Sequence, residues 1–475
     1  LASLISGRWF IQNLLKGDFI VDDSETAHKR GRKLKVSHIL IVLLLIAVCA
    51  FVVFRLSVRS KLRARIETIR AAGYPVTLAE LNEWYTIPED AENAADTLIE
   101  AFLCYRECDK TELESLPIVG RAELPVRTEP LAEETKGLIA QYLADNQQAL
   151  ELLHEAAAMK HSRYPVDFSF GPGTLMYHCS DLRKGAMLLK LEAVLHAENN
   201  KLNLAARSVT SIFGIANSLA EEPVLISQLV YTGCQGLAVS SLERAINRVE
   251  FTDEQLVKLT QTVTNAEDLS AMSRVFAGEQ CMGISIFKNP RALSPGLFGR
   301  GIPSAPILEL YKALGLADMD AVIYLDLMND YMKTTSIPLH QRQRAASTIE
   351  AKLKATSKIH ILLHEFMPAL SRVITINIRS IAQLRTARVA LAIQRYHLAT
   401  GNLPDTLADL VPVYFDAVPE DPFDGRTLRY EKLETGFVVY SIGEDRSDDG
   451  GKERLPIGKR KKAPSSWDIT FIVER

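Results

Sequence analysis

A chain of 475 residues is too long for one ordinary hydrophobic core, so several structural units are expected. Its 47% hydrophobic and 24% charged content excludes a disordered chain, and a net charge of −3 excludes a general affinity for nucleic acid or acidic lipid. Aromatic residues are only 7%, and Ala, Leu, Glu and Lys dominate the middle, which favours helix.

The first informative segment is Val36–Phe54, VSHILIVLLLIAVCAFVVF, which carries no formal charge. About 20 apolar residues are needed to cross a hydrocarbon core of about 30 Å as a helix, so this segment is read as a membrane span. No small-x-small cleavage site follows it, which argues against a removed signal peptide. Lys29, Arg30, Arg32, Lys33 and Lys35 precede the span, and Arg55, Arg59, Lys61, Arg63 and Arg65 follow it. The positive-inside rule is close to a tie. Residues 1–20 read equally well as a short interfacial helix or as a plain tail.

Beyond the span, a charged helix from Arg55 to Ala72 should break at Gly73-Tyr74-Pro75. Thr77-Leu78-Ala79-Glu80 reads as a capping box, with the Thr hydroxyl taking a backbone amide and Glu80 reaching back. Helices are expected over Ala91–Tyr105 and Leu131–Met159, separated by a Pro-punctuated loop from Leu116 to Pro130. Helices over Leu175–His196 and Leu202–Leu219, and a third after Pro223, have the style of tetratricopeptide hairpins. The repeat's signature residues and a clean 34-residue period are absent. Ala197, Ala205 and Ala206 stand where two helices would approach closely. Thr252-Asp253-Glu254-Gln255 is a second capping box. The stretch Asn289–Pro306, rich in Pro and Gly, is read as a loop, with helices resuming over Leu308–Met332 and Gln341–Ala399.

Chemistry-bearing residues are sparse. The six cysteines form no C-x-x-C pair and read as unpaired thiols. His360 and His364, with Glu365 next, have a spacing that can bind a metal on one helix face, but HILLHE lacks the Glu of HExxH and packing is the expected role. His178-Cys179 lacks an orienting group for a nucleophile, and Gly171-Pro172-Gly173 is too short for a phosphate loop. Lys459-Arg460-Lys461-Lys462 reads as a solvated loop. No catalytic residue is assigned.

The end of the chain is the most specific text. Ser380–Thr400 is a helix closed by Gly401 and Pro404. Thr406–Leu410 is a short helix, Asp421-Pro422 and Asp424-Gly425 are turns, and Arg426–Glu431, Gly436–Ser441 and Asp468–Val473 are strands. This order resembles the C-terminal domain of type II secretion major pseudopilins (pseudopilin G). The resemblance is carried by Tyr396, Gly401, Pro404, Leu410-Val411-Pro412, Pro419, Asp421-Pro422-Phe423, Gly425, Tyr440-Ser441-Ile442-Gly443, Asp445, Gly450-Gly451 and Asp468-Ile469. It covers about 90 residues. The resemblance implies calcium as a cofactor, with Asp445 and Asp468 at the family's acidic positions and Asp448 and Asp449 where it is variably acidic. The chain departs from a pilin at the edge of its apolar segment. Lys33-Leu34-Lys35-Val36-Ser37-His38 has neither the glycine nor the glutamate of a prepilin processing site. More than 300 residues separate the span from the similar module.

The expected fold is therefore mainly α. It comprises one transmembrane helix, a large irregular, tetratricopeptide-like helical domain and a small C-terminal α+β domain with a short antiparallel sheet. The expected organisation is a basic cytoplasmic tail at 1–35, a transmembrane helix at 36–58, helical domains at 59–290 and 291–379, and a pseudopilin-like domain at 380–475. The resemblance implies the bacterial inner membrane, with the N-terminus inside and the large domain outside. The expected function is a non-enzymatic, single-pass interaction or assembly component with lipid and protein partners and no nucleic acid. A membrane-tethered hydrolase is the alternative.

Overall fold

The structure is a computed structural model, and it describes residues 36–289, 305–367, 369–453 and 467–474. The tail 1–35, most of the 289–306 loop and Lys459–Lys462 lie outside the described residues. The fold is mainly helical, with sixteen α-helices and one three-stranded antiparallel sheet among the described residues. In chain order the helices are α1 (Val36–Ala71), α2 (Leu78–Trp84), α3 (Ala94–Cys104), α4 (Lys110–Ser115), α5 (Glu133–Asp145), α6 (Gln147–Ala157), α7 (Tyr177–Glu198) and α8 (Leu202–Asn217). They continue as α9 (Leu225–Ile246), α10 (Asp253–Asn265), α11 (Ala271–Lys288), α12 (Ala305–Ala313), α13 (Leu316–Thr334), α14 (Leu339–Ala355), α15 (Ile361–Phe366) and α16 (Leu370–Thr400). The strands are β1 (Arg429–Leu433), β2 (Gly436–Ser441) and β3 (Ile469–Glu474).

The chain divides into two compact units, Leu1–Leu56 and Ser57–Arg475. In the first, every described side chain of α1 is exposed except the half-covered Arg55, including Leu44 at 64% and Val53 at 66%. This helix is long and apolar enough to cross a membrane. The stretch Ile361–Thr400 passes the same length test, but 53% of its most apolar window is buried and it serves as core. Among the described residues every buried hydrophobic side chain lies from Val58 onward, so the part from Ser57 carries a core of its own.

Within that second unit α7, α8 and α9 pack on one another, with Ala197 and Ala205 buried at 2% and 0% where the helices meet. Thr252 and Gln255 form the expected capping box of α10. The Thr77 box is only half formed. Thr77 accepts from the Glu80 amide, but the Glu80 carboxylate accepts from the Val76 amide, one residue earlier than expected. The Leu131–Met159 helix is broken at Asn146, whose buried side chain accepts the Arg106 amide and donates to the Tyr142 carbonyl. A polar side chain that binds two backbone groups competes with the helix ladder, and here it splits the helix. Gly401 closes α16 in the left-handed conformation at φ 74°.

The sheet has strand order β1-β2-β3, with Val439 of the central strand opposite Tyr430 and Phe471. Its inner face, Phe437, Val439, Phe471 and Val473, belongs to the same core as α7–α9 and the second half of α16. The expected boundary at residue 380 falls inside α16, which begins at Leu370 and runs unbroken through it.

Candidate functional site

Two places gather chemistry. The first is the acidic loop near the C-terminus. Asp421, 0% exposed, accepts from the Phe423 and Ile442 amides, the Ser441 hydroxyl (2.8 Å) and the Arg429 guanidinium (2.7 Å). It thereby ties the Asp-Pro-Phe turn to the Tyr-Ser-Ile-Gly loop. Asp445 Oδ1 accepts from the Ser447 amide, and Asp448 Oδ1 accepts from the Gly450 amide while its Oδ2 lies 3.6 Å from Arg429 Nε. Asp468, 1% exposed, takes the Asp449 and Gly451 amides on Oδ2 at 3.1 and 2.8 Å. Asp468 Oδ1 and Asp449 Oδ2 are buried and have no hydrogen-bond partner among the described residues. Burial, with Asp449 and Asp448 adding negative charge, pushes the Asp468 carboxyl up to about 6.

Two buried, unpartnered carboxylate oxygens fit a hard cation, because such oxygens are costly without a donor or a metal. Asp449 and Asp468 are the residues that would hold it. Of the four residues expected to bind calcium, Asp448 is drawn to Arg429, and Asp445 is occupied with its own turn.

The second place was not foreseen from sequence. A pocket of about 370 Å³ opens between the 3-10 turn Phe168–Gly173, the loop through Met176, the start of α9, and helices α11, α13 and α15. Its walls are apolar except for Glu279, Glu365 and the hydroxyls of Thr174 and Tyr324. Glu279 Oε1 accepts from the Leu225 amide at 2.9 Å, at the first turn of α9. Burial raises this carboxyl above the ordinary value. Large apolar side chains stand exposed in the same segments: Phe170 (73%), Leu175 (64%), Tyr177 (72%) and Ile226 (48%). α11, which lines the pocket, approaches its neighbours very closely. A Cβ on Gly278 would lie 1.7 Å from the Pro223 carbonyl, and one on Gly283 would lie 2.3 Å from the Tyr324 ring. Glycines inside a helical pattern are the sequence signal that marks such an approach.

Next to this pocket in the chain, Glu222 is buried and accepts from Tyr85 Oη (3.2 Å) and Ser227 Oγ (2.5 Å), with His178 Nε2 at 3.1 Å from both its oxygens. The His178 ring stacks on Tyr164 with centroids 4.0 Å apart, and Cys179 Sγ lies 3.8 Å from His178 Nε2. These ligand atoms are close enough together to hold a metal ion. Every group in the cluster already has a partner, and burial pushes the Cys179 thiol up to about 12, so it is no nucleophile at neutral pH. His360 and His364 do not share a ligand. His360 Nδ1 lies 2.6 Å from buried Asp320, which also accepts from Tyr311 Oη and the Leu363 amide, while His364 Nε2 meets Thr356 Oγ1. All six cysteines are free thiols.

No family model, curated protein or solved structure matches this chain.

Proposed function

We propose that this protein is a single-pass membrane protein whose helical body binds an apolar ligand, with the C-terminal pseudopilin-like module serving stability and docking. In this reading the span Val36–Phe54 sits in the bacterial inner membrane, with the N-terminus inside and the helical body outside. The observation that carries the reading is the pocket lined by Leu225, Leu229, Met282, Ile286 and Phe366, about 370 Å³ in volume. Ligand pockets are concave, mostly apolar and carry a few fixed polar groups, and their volumes run from about 300 Å³ upward. Asp449 and Asp468 hold a calcium ion that neutralises the carboxylates at the end of the sheet.

The test uses the part from Ser57 to Arg475, which contains every buried hydrophobic side chain among the described residues. Nile red, a neutral apolar dye, should bind it saturably with a rise in fluorescence. The Leu229→Trp variant, which fills the pocket, should lose that signal while keeping its helical circular dichroism. A dye signal that never saturates, or that survives in the variant, would sink the reading.

A further inference from the structure

The pocket's polar groups define more than its apolar walls do. Its two carboxyl-bearing lining residues are Glu279 and Glu365, and no Lys, Arg or His lines it among the described residues. Glu279 has one oxygen fixed by the Leu225 amide, and that oriented carboxyl faces a cavity bounded by Leu229, Met282, Ile286 and Phe366. The Tyr324 hydroxyl donates to the Glu279 carbonyl at 2.8 Å, which anchors this turn of α11 to α13. The carboxyl is thus held by the first turn of α9, and the backbone that carries it is held by α13.

A carboxylate in an apolar cavity is costly unless a positive charge or a donor meets it. Among the described residues no Lys, Arg or His lines the cavity beside Glu279, whose carboxyl burial raises against the opposing Leu225 amide. An incoming ammonium group would provide the missing charge.

Resting on the reading of this cavity as a ligand site, we propose that its ligand is a small apolar cation: an aliphatic or aromatic amine whose ammonium group pairs with Glu279 and whose hydrocarbon body fills the cavity toward Leu229 and Ile286.

Calorimetric titration of the Ser57–Arg475 part with decylamine and with decanol, both below their micellar concentrations, separates the charge from the chain. Decylamine should bind at one site at least tenfold more tightly than decanol. The Glu279→Gln variant keeps an acceptor for the Leu225 amide and should bring the two affinities together. Glu365→Gln, at the exposed rim, should change the ratio much less. Equal affinities in the natural protein, or a preference for amine that persists in Glu279→Gln, overturn the cationic ligand and leave the apolar pocket intact. Absence of binding by both decyl compounds while Nile red still binds also overturns it. Absence of binding by all three removes the pocket reading itself.

Discussion

The side-chain amide of Asn247, at the end of α9, donates to the Ile472 carbonyl of β3 at 2.8 Å. Its oxygen accepts from the Glu474 amide at 2.7 Å, and the Glu243 carboxylate one turn earlier accepts from the Ile472 amide at 2.8 Å. β3 is an edge strand, and an unpaired strand edge is a template for unwanted pairing. Here two side chains of a helix take the place of a fourth strand, which joins the C-terminal sheet to the helical body.

Replacing Asn247 by Ala should leave two backbone groups of β3, one buried and one part-buried, without partners. A loss of about 2–4 kcal/mol is expected, since each orphaned group costs about 1–3 kcal/mol before water or relaxation compensates. Urea unfolding of the Ser57–Arg475 part measures it. A change below about 0.5 kcal/mol would show that the edge is not held by this side chain.

Glu243 makes stability depend on pH. Burial pushes its carboxyl up to about 7, against the opposing pull of the Ile472 amide and Arg127. Folding therefore favours the protonated form. Its contribution is complete below about pH 4.5 and is lost as pH rises through about 7. Glu243→Gln keeps an acceptor for the amide and should remove on the order of 1–3 kcal/mol of that fall. Unfolding midpoints at pH 5 and pH 8 for the two proteins provide the comparison, and identical pH slopes would refute the assignment.

Asp468 predicts a calcium effect with a definite pH sense. With its carboxyl raised to about 6, the metal-free fold loses this group's contribution as pH rises through 6. Calcium needs the ionised form, so its stabilisation should grow over the same interval. At pH 7.5, saturating calcium should raise the unfolding midpoint by about 2 °C or more, and at pH 5 by much less. Asp468→Asn should abolish the response without weakening the calcium-free protein. An equal calcium shift in that variant would exclude the site.

Gly278→Ala should be among the most damaging small changes in the chain. Its Cβ would lie 1.7 Å from the Pro223 carbonyl, so α11 must move from α9, at a cost of about 3 kcal/mol or more. Gly233→Ala, within α9 with nothing within 4 Å of its Cβ, should instead stabilise by about 0.5–1 kcal/mol. Thermal unfolding of the pair tests the close approach directly. If both variants behave alike, the tight packing is absent in solution.

Elements whose cause is local were legible in the sequence. Val36–Phe54 is apolar apart from Ser37 and His38, and apolarity over that length needs no partner to be read. The Thr252 capping box and the Gly401 stop are set by residues three apart or fewer, and both are present. The helix break at Asn146 was missed because its cause is the Arg106 amide, 40 residues away. The Asp-Pro-Phe turn was visible as a turn. That Asp421 is buried and holds Ser441 and Ile442 was not, because a turn former and a buried acceptor look the same in sequence.

The acidic loop was found from its motif, but which carboxylates remain free was not. Arg429, lying on a neighbouring strand, draws Asp448 toward itself, and the burial of Asp449 and Asp468 leaves theirs unmatched. The Glu279 pocket had no motif at all. Its walls come from residues spread between Gly171 and Phe366, most of them ordinary apolar side chains in separate segments.

The sequence by itself determined a helix long and apolar enough to cross a membrane, the helical class and the small antiparallel sheet, because hydropathy, capping and turn chemistry act within a few residues. Only the tertiary structure decided that the sheet shares its core with α7–α9, that Asn247 closes its edge, and that a carboxyl lines an apolar cavity. Those outcomes depend on which side chains burial leaves with a partner and which it leaves without, and that is fixed only when distant helices pack.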